Sequence, residues 1–427
     1  MRQRPKLVLV GQFSALPWVF EAAERAGADL ILVPRGDDDA ERARKAAGVV
    51  ELLPLDVDGD PDAALAALVE RFGREPFDGI MAGNEKAVPF VARAARVLGL
   101  TGLTEEAADV VRDKRSMRRL LRAAGLAVPG FVAVGHPDDW ADAAGLRFPV
   151  VVKPANGYSS LGVIRVDSAA ELERAVRTTW ALCHAHLGYD GGAADGEPAD
   201  GWGVLVEEYL DGPEISAESL VHRGRVRVCA ISYKGELSGP YFEETTLRAP
   251  AQLPADVLAA VEREVVGAHH AFGITEGTTH TELRLVSGTR PVLLEMGARI
   301  GGGGFMHHLV HVSSGIDLAA EAVRIHLGRE PECWTREPVG TGHAAAYLVP
   351  VGGGGRIVRV HGLDEVREEP CVDHVAQTVG PGALLRPYPD WSGYPAIVLS
   401  QHASDAAAVE FRDHLSRTLR VEYEARS

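Results

Sequence analysis

Two glutamates near residue 290 lie in neighbouring apolar segments that predict a β-hairpin. Ser287-Gly288 supplies a turn signal between Glu282 and Glu295, so the two carboxylates should lie on adjacent strands. Adjacent carboxylates repel each other unless a cation lies between them, and hard carboxylate oxygens suit Mg²⁺, which also accepts phosphate oxygens as ligands. The pair therefore points to a magnesium site and nucleotide chemistry, while two solvated edge-strand glutamates are the plain alternative.

A lysine at the end of a β-branched run is well placed to meet a phosphate. Lys153 follows Val150–Val152 and precedes a loop of small residues, 155–162. Its ammonium can act as a point charge, and the backbone N–H groups and serine hydroxyls of the loop can add donors. The chain contains no Walker sequence, and a flexible hairpin turn has the same composition as this loop.

Residues 204–216 predict two strands joined by a polar turn. The first strand ends in acids that include Glu207, the turn lies at 211–213, and the second strand begins near Glu214. Such a crossover can offer backbone groups to a base edge and a carboxylate to ribose hydroxyls. An ordinary hairpin with a polar turn fits the segment equally well.

Arg299 follows Glu295 by four positions and precedes the glycine run Gly301–Gly304. A guanidinium beside a glycine turn suits a carboxylate or phosphate, because the backbone can approach the anion closely. The alternative is a surface ion pair with one of the 60 acidic residues of the chain.

Short apolar runs alternate with amphipathic segments over residues 7–98 and predict a parallel, doubly wound sheet. The predicted strands are 7–10, 30–33, 49–53 and 80–81, and the predicted helices are 15–25, 63–72 and 86–98. The turn after the first strand, 11–14, lacks G-x-G-x-x-G, so dinucleotide binding is unsupported.

The remainder of the chain predicts a mixed region followed by a strand-rich one. Predicted helices span 113–124 and about 254–270, 313–327 and 404–418, and four or more strands lie between 203 and 247. Strands dominate from about residue 335. Residues 187–202, rich in Gly, Ala and Asp, predict a mobile loop.

The composition is that of a globular protein with more than one domain. The chain has 427 residues and a net charge of -16, which argues against a broad nucleic-acid-binding face. Four scattered cysteines predict free thiols of a cytoplasmic protein. The apolar run Leu7–Val10 is too short for a signal peptide, and no stretch is long enough for a membrane span.

Taken in order, these motifs resemble the ATP-grasp superfamily. The resemblance rests on Asp113-Lys114 at the start of a helix, Lys153 with its loop, Val206–Glu214, and the Glu282/Glu295 pair. A closer resemblance, to the L-amino acid ligase group, rests on the following segments: His280-Thr281-Glu282, Glu295–Gly303, Ser314–Leu318 and Ala346–Pro350. One departure is Gly297, which stands where many ATP-grasp enzymes have an asparagine ligand for a second metal ion.

The resemblance implies an α/β fold whose ATP-grasp part is α+β. It implies an N-terminal α/β domain at 1–112, an ATP-grasp domain at 113–335 with a lid at about 126–210, and a strand-rich C-terminal domain at 336–427. A homodimer is compatible with the resemblance, although no sequence feature establishes one.

The resemblance also implies a role for each matching residue. For ATP these are Lys114 and Lys153 on the phosphates, Ser159, Ser160 and Gly162 in the loop above them, Glu207 and Leu210 at the adenine, and Glu214 on the ribose. Glu282 and Glu295 would bind one or two Mg²⁺ ions, with Mn²⁺ as a substitute, while Arg299, Gly301 and Gly302 would hold the reacting carboxylate. Glu244 would recognise a substrate amino group, although Glu243 competes with it.

The expected activity is the ATP-dependent joining of two amino acids, or of an amino acid and an amine, through an acyl phosphate with release of ADP and phosphate. The expected catalytic residues are Arg299 and Lys153, and the proton acceptor is left open between His280 and His307. One alternative is a ligase that acts on another small carboxylate. The other is a non-catalytic nucleotide-binding regulator, which the complete set of charged residues disfavours.

Overall fold

The computed structural model describes residues 4–11, 16, 18–36, 40, 48–187, 203–235, 237 and 239–424. The mobile loop predicted at 187–202 lies outside the described residues except for Leu187, and so does most of the turn predicted at 11–14. No helix in the described part of the chain is both long and apolar enough to cross a membrane.

The first sheet is parallel and doubly wound, as the alternating pattern predicts. Its strands are β1 (Lys6–Val10), β2 (Asp29–Val33), β3 (Val49–Leu52) and β4 (Gly79–Ala82), in the order β3-β2-β1-β4. Helix α1 (Trp18–Arg25) covers one face, and α2 (Pro61–Arg74) and α3 (Ala87–Leu98) cover the other. Because helices bury both faces, the strands are nearly continuous apolar runs.

Two short helices connect this sheet to a small antiparallel one. They are α4 (Glu105–Arg112) and α5 (Lys114–Ala123), and Asp113 between them caps α5 by accepting the Arg115 N–H. The small sheet has the order β5-β8-β6-β7, with β5 (Phe131–Val134), β6 (Val150–Pro154), β7 (Ile164–Val166) and β8 (Val204–Glu208). Helix α6 (Ala169–His186) covers it.

The largest sheet has eight strands and crosses the expected boundary at residue 335. Its order is β13-β12-β9-β10-β11-β14-β18-β16. The strands are β9 (Glu214–His222), β10 (Arg225–Tyr233), β11 (Thr246–Ala249), β12 (Glu276–Val286), β13 (Arg290–Gly297), β14 (His343–Leu348), β16 (Val372–Gln377) and β18 (Ala396–His402). Since β11 pairs with β14, the C-terminal strands continue the sheet that carries Glu282 and Glu295.

Further elements pack around the end of the chain and against the large sheet. They are α7 (Ala255–Phe272), α10 (Leu363–Arg367) and α11 (Asp405–Thr418), and a three-stranded sheet of β17 (Leu384–Leu385), β15 (Gly355–His361) and β19 (Arg420–Tyr423). The helices predicted at about 254–270 and 404–418 therefore form close to their expected bounds.

The helix predicted at about 313–327 forms over Leu318–His326, but its predicted start is wrong. The chain instead forms α8 (Met306–Ser314) and α9 (Leu318–His326). Gly315 ends α8 with φ of 77°, and the Asp317 carboxylate caps α9 by accepting the Ala320 N–H. A Cβ at Gly315 would lie 2.5 Å from the Val339 carbonyl oxygen, so glycine is required at this break.

Candidate active site

A cavity of about 520 Å³ lies where the small sheet, the large sheet and the C-terminal segment meet. It gathers most of the residues singled out by sequence: Lys114, Lys153, Ser159, Ser160, Glu207, Leu210, Glu214, Glu244, Glu282, Glu295, Arg299 and Gly302 line it. Gly162 and Gly301 do not line it directly. Residues distant in sequence thus converge on one site, as a ligand-binding cleft requires.

The hairpin predicted around Ser287-Gly288 is confirmed. Glu282 lies directly opposite Glu295 in the antiparallel pair of β12 and β13, and a bulge follows Glu282. The two side chains are 25% and 26% exposed, which leaves carboxylate surface open to the cavity. Facing residues on adjacent strands have Cβ atoms about 4.5–5.5 Å apart, a spacing at which one cation can contact both carboxylates.

Each of these two glutamates forms an ion pair with a lysine. Lys114 Nζ lies 3.0 Å from Glu295 Oε2 and also donates to the Gly157 carbonyl at 2.6 Å. Lys234 Nζ lies 2.9 Å from Glu282 Oε1. Both ammonium groups therefore lie beside the carboxylates, and that of Lys114 also lies beside the small-residue loop, where phosphates and a metal ion would share charge with it.

Lys234 is the most important residue that sequence reasoning missed. It is 2% exposed and its ammonium also pairs with Glu214, at 2.6 Å, and with Glu244. Burial alone would lower the pKa of Lys234, but the charges of the three carboxylates raise it well above the ordinary value. Its signal, a lysine directly after a strand and before a glycine, resembles the one that identified Lys153, a lysine at a strand end before a loop of small residues.

The carboxylates around Lys234 also form a cluster with suitable geometry for a cation. Glu214, Glu244 and Glu282 each offer an oxygen within 4.8 Å of the others. Glu214 pairs in addition with Arg284 at 2.7 Å. Burial and the neighbouring carboxylates raise the pKa of Glu244, and Lys234 opposes this shift. The predicted ribose ligand and the predicted amino-group ligand therefore belong to one buried network with the predicted metal ligand.

Lys153 is held by a second buried network. Glu207, which is 3% exposed, pairs with Lys153 at 2.6 Å and with Arg118. Burial would raise the pKa of Glu207, but the charges of Arg118 and Lys153 lower it to about 2. Burial also lowers the pKa of Lys153. The Glu207 carboxylate thus pairs with two cations, Arg118 and Lys153. Of the two residues predicted to lie at the adenine, Leu210 is the one that offers an apolar side chain to the cavity.

Arg299 is anchored by the first sheet. Glu85, just beyond β4, is buried and its Oε2 lies 2.9 Å from Arg299 Nε, while Arg112 approaches the other oxygen at 3.4 Å. Burial would raise the pKa of Glu85, but these arginines lower it. Arg299 Nη1 is buried and has no acceptor among the described residues. An anionic oxygen in the cavity would supply that acceptor.

Gly297 explains the departure from the Glu-x-Asn pattern. A Cβ at this position would lie 2.7 Å from Glu85 Oε2. A side chain here would therefore displace the carboxylate that holds Arg299. The space that an asparagine side chain would fill is occupied by the Glu85 carboxylate, whose charge orients Arg299.

His280 is held between two carboxylates. Its Nδ1 contacts the fully buried Glu218, and its Nε2 lies 3.3 Å from Glu282 Oε1. Burial would lower the pKa of His280, but the charge and hydrogen bond of Glu218, with the contact to Glu282, raise it to about 9. Glu218 also accepts the Gly301 N–H at 3.3 Å, and a Cβ at Gly301 would lie 2.5 Å from the His280 ring. Gly301 thus packs on a histidine that carries a proton at neutral pH.

His307 does not line the cavity. Its Nδ1 accepts the Ala319 N–H at 3.2 Å, and burial lowers its pKa to about 4. Neither histidine considered from sequence therefore has the properties of a proton acceptor at this site: one is already protonated and the other is remote.

The loop after Lys153 contains two serines in the left-handed backbone conformation. Ser159 and Ser160 both have positive φ, 54° and 55°, and Gly162 follows with φ of 71°. The Gly162 N–H donates to the Pro389 carbonyl at 3.0 Å. The loop is thereby fixed to the C-terminal segment across the cavity.

Three protein families match consecutive parts of the chain. The ATP-grasp N-terminal domain matches residues 20–102, the ATP-grasp domain matches 146–307, and the L-amino acid ligase C-terminal domain 2 matches 346–424. These matches run in the same order as the first sheet, the cavity-forming sheets and the C-terminal segment.

Individual proteins are also similar to this chain. The crystal structure of an L-amino acid ligase from Bacillus licheniformis aligns with a TM-score of 0.89 and 35% identity and covers all of both chains. A D-alanine–D-alanine ligase of Ralstonia nicotianae is 30% identical over 294 residues, which are 65% of this chain and 77% of that protein. Carnosine synthase 1 of Gallus gallus is 29% identical over 74% of this chain but only 34% of its own length.

Proposed function

Because the chain belongs to the ATP-grasp superfamily and, within it, to the L-amino acid ligase group, we propose that it joins two amino acids through an acyl phosphate. At the coarser level it is an ATP-grasp carboxylate–amine ligase that forms a C–N bond in an ADP-forming reaction. A cytoplasmic location belongs to the proposal, because the reaction draws on ATP and all four cysteines are free.

The observation that carries the proposal is the convergence of Arg299, Glu282 and Glu295 on one cavity with two lysines. The unpaired Nη1 of Arg299 supports binding of an anionic substrate oxygen. The lysines, Lys114 and Lys153, support binding of phosphates. Together these groups suit the transfer of a phosphoryl group to a carboxylate, which needs positioning and charge neutralisation more than covalent chemistry by the protein.

The donor set fits Mg²⁺. Glu282 and Glu295 offer oxygen ligands from facing positions on two strands, and Glu214 and Glu244 bring further carboxylates close to Glu282. Bound there, Mg²⁺ would neutralise phosphate charge during the transfer. The space left at Gly297 removes one protein ligand, so phosphate oxygens or waters would complete the coordination shell.

The proposed reaction has two steps. A substrate carboxylate oxygen attacks the γ-phosphorus, the bond to the β,γ-bridging oxygen breaks, and ADP leaves with the electron pair. An amine nitrogen then attacks the acyl carbon, loses a proton to solvent or phosphate, and inorganic phosphate leaves. Arg299 would hold the carboxylate and then the acyl oxygen, and Glu244 would bind the ammonium of one substrate. The loop at 155–162, fixed to Pro389, would keep water from the acyl phosphate.

Product analysis tests the proposal directly. The purified protein is incubated with Mg-ATP and a panel of amino acids, singly and in pairs, and the nucleotides, phosphate and dipeptides are quantified. We expect ADP, phosphate and a dipeptide in equal amounts when a suitable pair is present. AMP and pyrophosphate would contradict the acyl phosphate, and ADP release only with a different kind of acid and amine would contradict the amino acid assignment.

A further inference from the structure

The C-terminal segment contributes a rigid aromatic turn, residues 386–394, to the wall of the cavity. The Arg386 N–H donates to Ser392 Oγ at 2.9 Å, the Ser392 N–H donates back to the Arg386 carbonyl at 3.3 Å, and Arg386 pairs with Asp390 at 3.0 Å. These contacts close the turn on itself. Its side chains are therefore preorganised before any ligand arrives.

Three aromatic rings on this turn face the cavity. Tyr388 and Trp391 stack with centroids 5.6 Å apart and an interplanar angle of 10°, and Tyr394 meets Trp391 edge-on at 5.0 Å. All three rings line the cavity and are only partly buried. Aromatic surface of this kind is a strong binding element because it buries a large area with few rotatable bonds.

The surface next to the rings is also apolar. Leu247, Leu348, Ile397 and Phe305 line the same part of the cavity, and Tyr394 packs against the core cluster that contains them. Each of these four residues is at most 5% exposed. This end of the cavity thus differs from the other end, where lysines and carboxylates surround the proposed phosphate site.

The side-chain hydroxyl groups at this end already have partners inside the protein, whereas Trp391 Nε1 is buried and has no hydrogen-bond partner among the described residues. The Tyr388 and Tyr394 hydroxyls lie 3.3 Å apart, and the Thr378 hydroxyl donates to the Tyr394 carbonyl. Ser392 Oγ accepts from the turn. Among the described residues that line this end, the paired hydroxyl groups offer little further hydrogen-bonding capacity to a polar substrate side chain, which would lose hydrogen bonds to water without full replacement.

We propose that the aromatic turn forms the side-chain pocket for one of the two substrates, and that this substrate is an amino acid with a large apolar or aromatic side chain. The inference rests on the proposed function, because the ammonium and carboxylate of that amino acid are placed at Glu244 and Arg299. Trp391 is the central residue of the pocket, since it contacts both tyrosine rings.

The turn also contacts the loop that would cover the reaction. Pro389 accepts the Gly162 N–H, and Asp390 lies 2.6 Å from His186 at the end of α6. A side chain that fills the aromatic pocket therefore lies beside the junction between the loop and the C-terminal segment. Filling the pocket and excluding water from the acyl phosphate occur at the same place.

The first test is the substrate preference of the unaltered protein. ADP release is measured with paired amino acids in which one member is varied through Ala, Ser, Lys, Val, Leu, Phe and Trp. We expect kcat/KM to be at least about 10-fold higher with a large apolar member than with Ala, as a hydrophobic pocket discriminates by about 10- to 200-fold per methylene-sized difference. Equal or better rates with Ala, Ser or Lys at every position would overturn the inference and leave the proposed function standing. Absence of ADP release with any amino acid pair would overturn the proposed function itself.

The second test is the substitution Trp391→Leu, with Trp334→Leu as the matched control. Trp334 is also partly buried but stacks on Arg225 at 5.0 Å, away from the cavity. We expect Trp391→Leu to lower kcat/KM for the large apolar amino acid by about 10- to 100-fold and to change KM for ATP by less than about twofold. The conservative Trp391→Phe should retain the preference. Unchanged selectivity in a folded Trp391→Leu protein, or an equal loss in Trp334→Leu, would overturn the assignment.

Discussion

Glu85 Oε2 lies 2.9 Å from Arg299 Nε, which connects the first sheet to the arginine proposed to bind the reacting carboxylate. Glu85 follows the carboxyl end of β4, the edge of a parallel sheet at which α/β proteins bind ligands. The salt bridge uses the Nε side of the guanidinium and leaves Nη1 without an acceptor. Glu85 thus orients Arg299 while keeping a donor for the substrate.

The first prediction concerns this orientation. Glu85→Gln should reduce kcat/KM for the carboxylate substrate by up to about 100-fold, because a small displacement of a positioning group is costly. KM for ATP should stay close to that of the unaltered protein. Steady-state kinetics of ADP release, with each substrate varied in turn, measures both kcat/KM for the carboxylate substrate and KM for ATP. Glu51→Gln is the matched control, since Glu51 pairs with Arg71 at 2.6 Å away from the cavity, and an equal loss in that variant would refute a specific role for Glu85.

The local part of the site could be predicted from sequence. The apolar runs on either side of Ser287-Gly288 indicate the hairpin, so the placement of Glu282 and Glu295 on neighbouring strands follows from residues close together in the chain. Their direct opposition depends on the bulge after Glu282, which the pattern does not indicate. The same holds for the strand that presents Lys153 and for the first doubly wound sheet, whose pattern repeats locally.

The long-range part could not be predicted in this way. Glu85 and Arg299 are brought together only by the packing of α3 and α4 on β13, and the aromatic turn reaches the cavity through the continuous eight-stranded sheet. The predicted start of the helix at about 313–327 was wrong for a local reason, because the left-handed conformation of Gly315 interrupts the helical pattern there. Lys234 had a readable signal, but its importance arises from three carboxylates on three separate segments.

The second prediction concerns the facing carboxylates. Glu295→Ala should lower kcat by more than about 100-fold, because it removes a group that would hold the charge-neutralising cation. The protein should stay folded, since the Glu295 side chain is 26% exposed. ADP formation is measured as a function of Mg²⁺ concentration, and far-ultraviolet circular dichroism monitors folding. Arg299→Ala should be equally inactive, but added Mg²⁺ should not change its activity. Normal ADP formation by either variant would refute the proposed role of that residue.

The third prediction is a pH dependence of stability caused by His280. Its pKa is about 9 in the folded protein against an ordinary value of 6.5, so folding favours the protonated form. The stabilisation by protonated His280 is fully present below about pH 6.5, where His280 is protonated in both the folded and the unfolded protein. It is lost as the pH rises through about 9. The difference corresponds to roughly 3 kcal/mol of unfolding free energy. The unaltered protein should therefore lose more thermal stability than His280→Gln between pH 6.5 and pH 9.5.

Thermal melting across this pH range in metal-free buffer checks the prediction, with His361→Gln as the control, because a cation on Glu282 would lower the pKa of His280. His361 also pairs with a glutamate, Glu422, but the two side chains are 33% and 46% exposed. Exposed pairs contribute little because water screens them. A stability difference between the unaltered protein and His280→Gln that stays constant over the range would contradict the raised pKa.

The fourth prediction follows from the space at Gly297. Gly297→Ala would place a Cβ 2.7 Å from Glu85 Oε2, and the carboxylate cannot move freely because Arg299 and Arg112 hold it. We expect a loss of unfolding free energy of about 1–3 kcal/mol, the usual range for overpacking. We also expect kcat/KM for the carboxylate substrate to fall by about 10- to 100-fold, since Arg299 loses its orientation.

A double-mutant cycle identifies the cause of that loss. If Gly297→Ala acts by displacing Glu85, its kinetic effect should largely disappear in a Glu85→Gln background, because groups that act through one contact are not additive. Gly145→Ala is the control, since a Cβ there would meet nothing within 4 Å. Fully additive effects of Gly297→Ala and Glu85→Gln would show that Gly297 acts on the site by another route. A strong coupling would establish that a single glycine in the Glu295-Met296-Gly297 segment makes room for the carboxylate that orients the substrate-binding arginine.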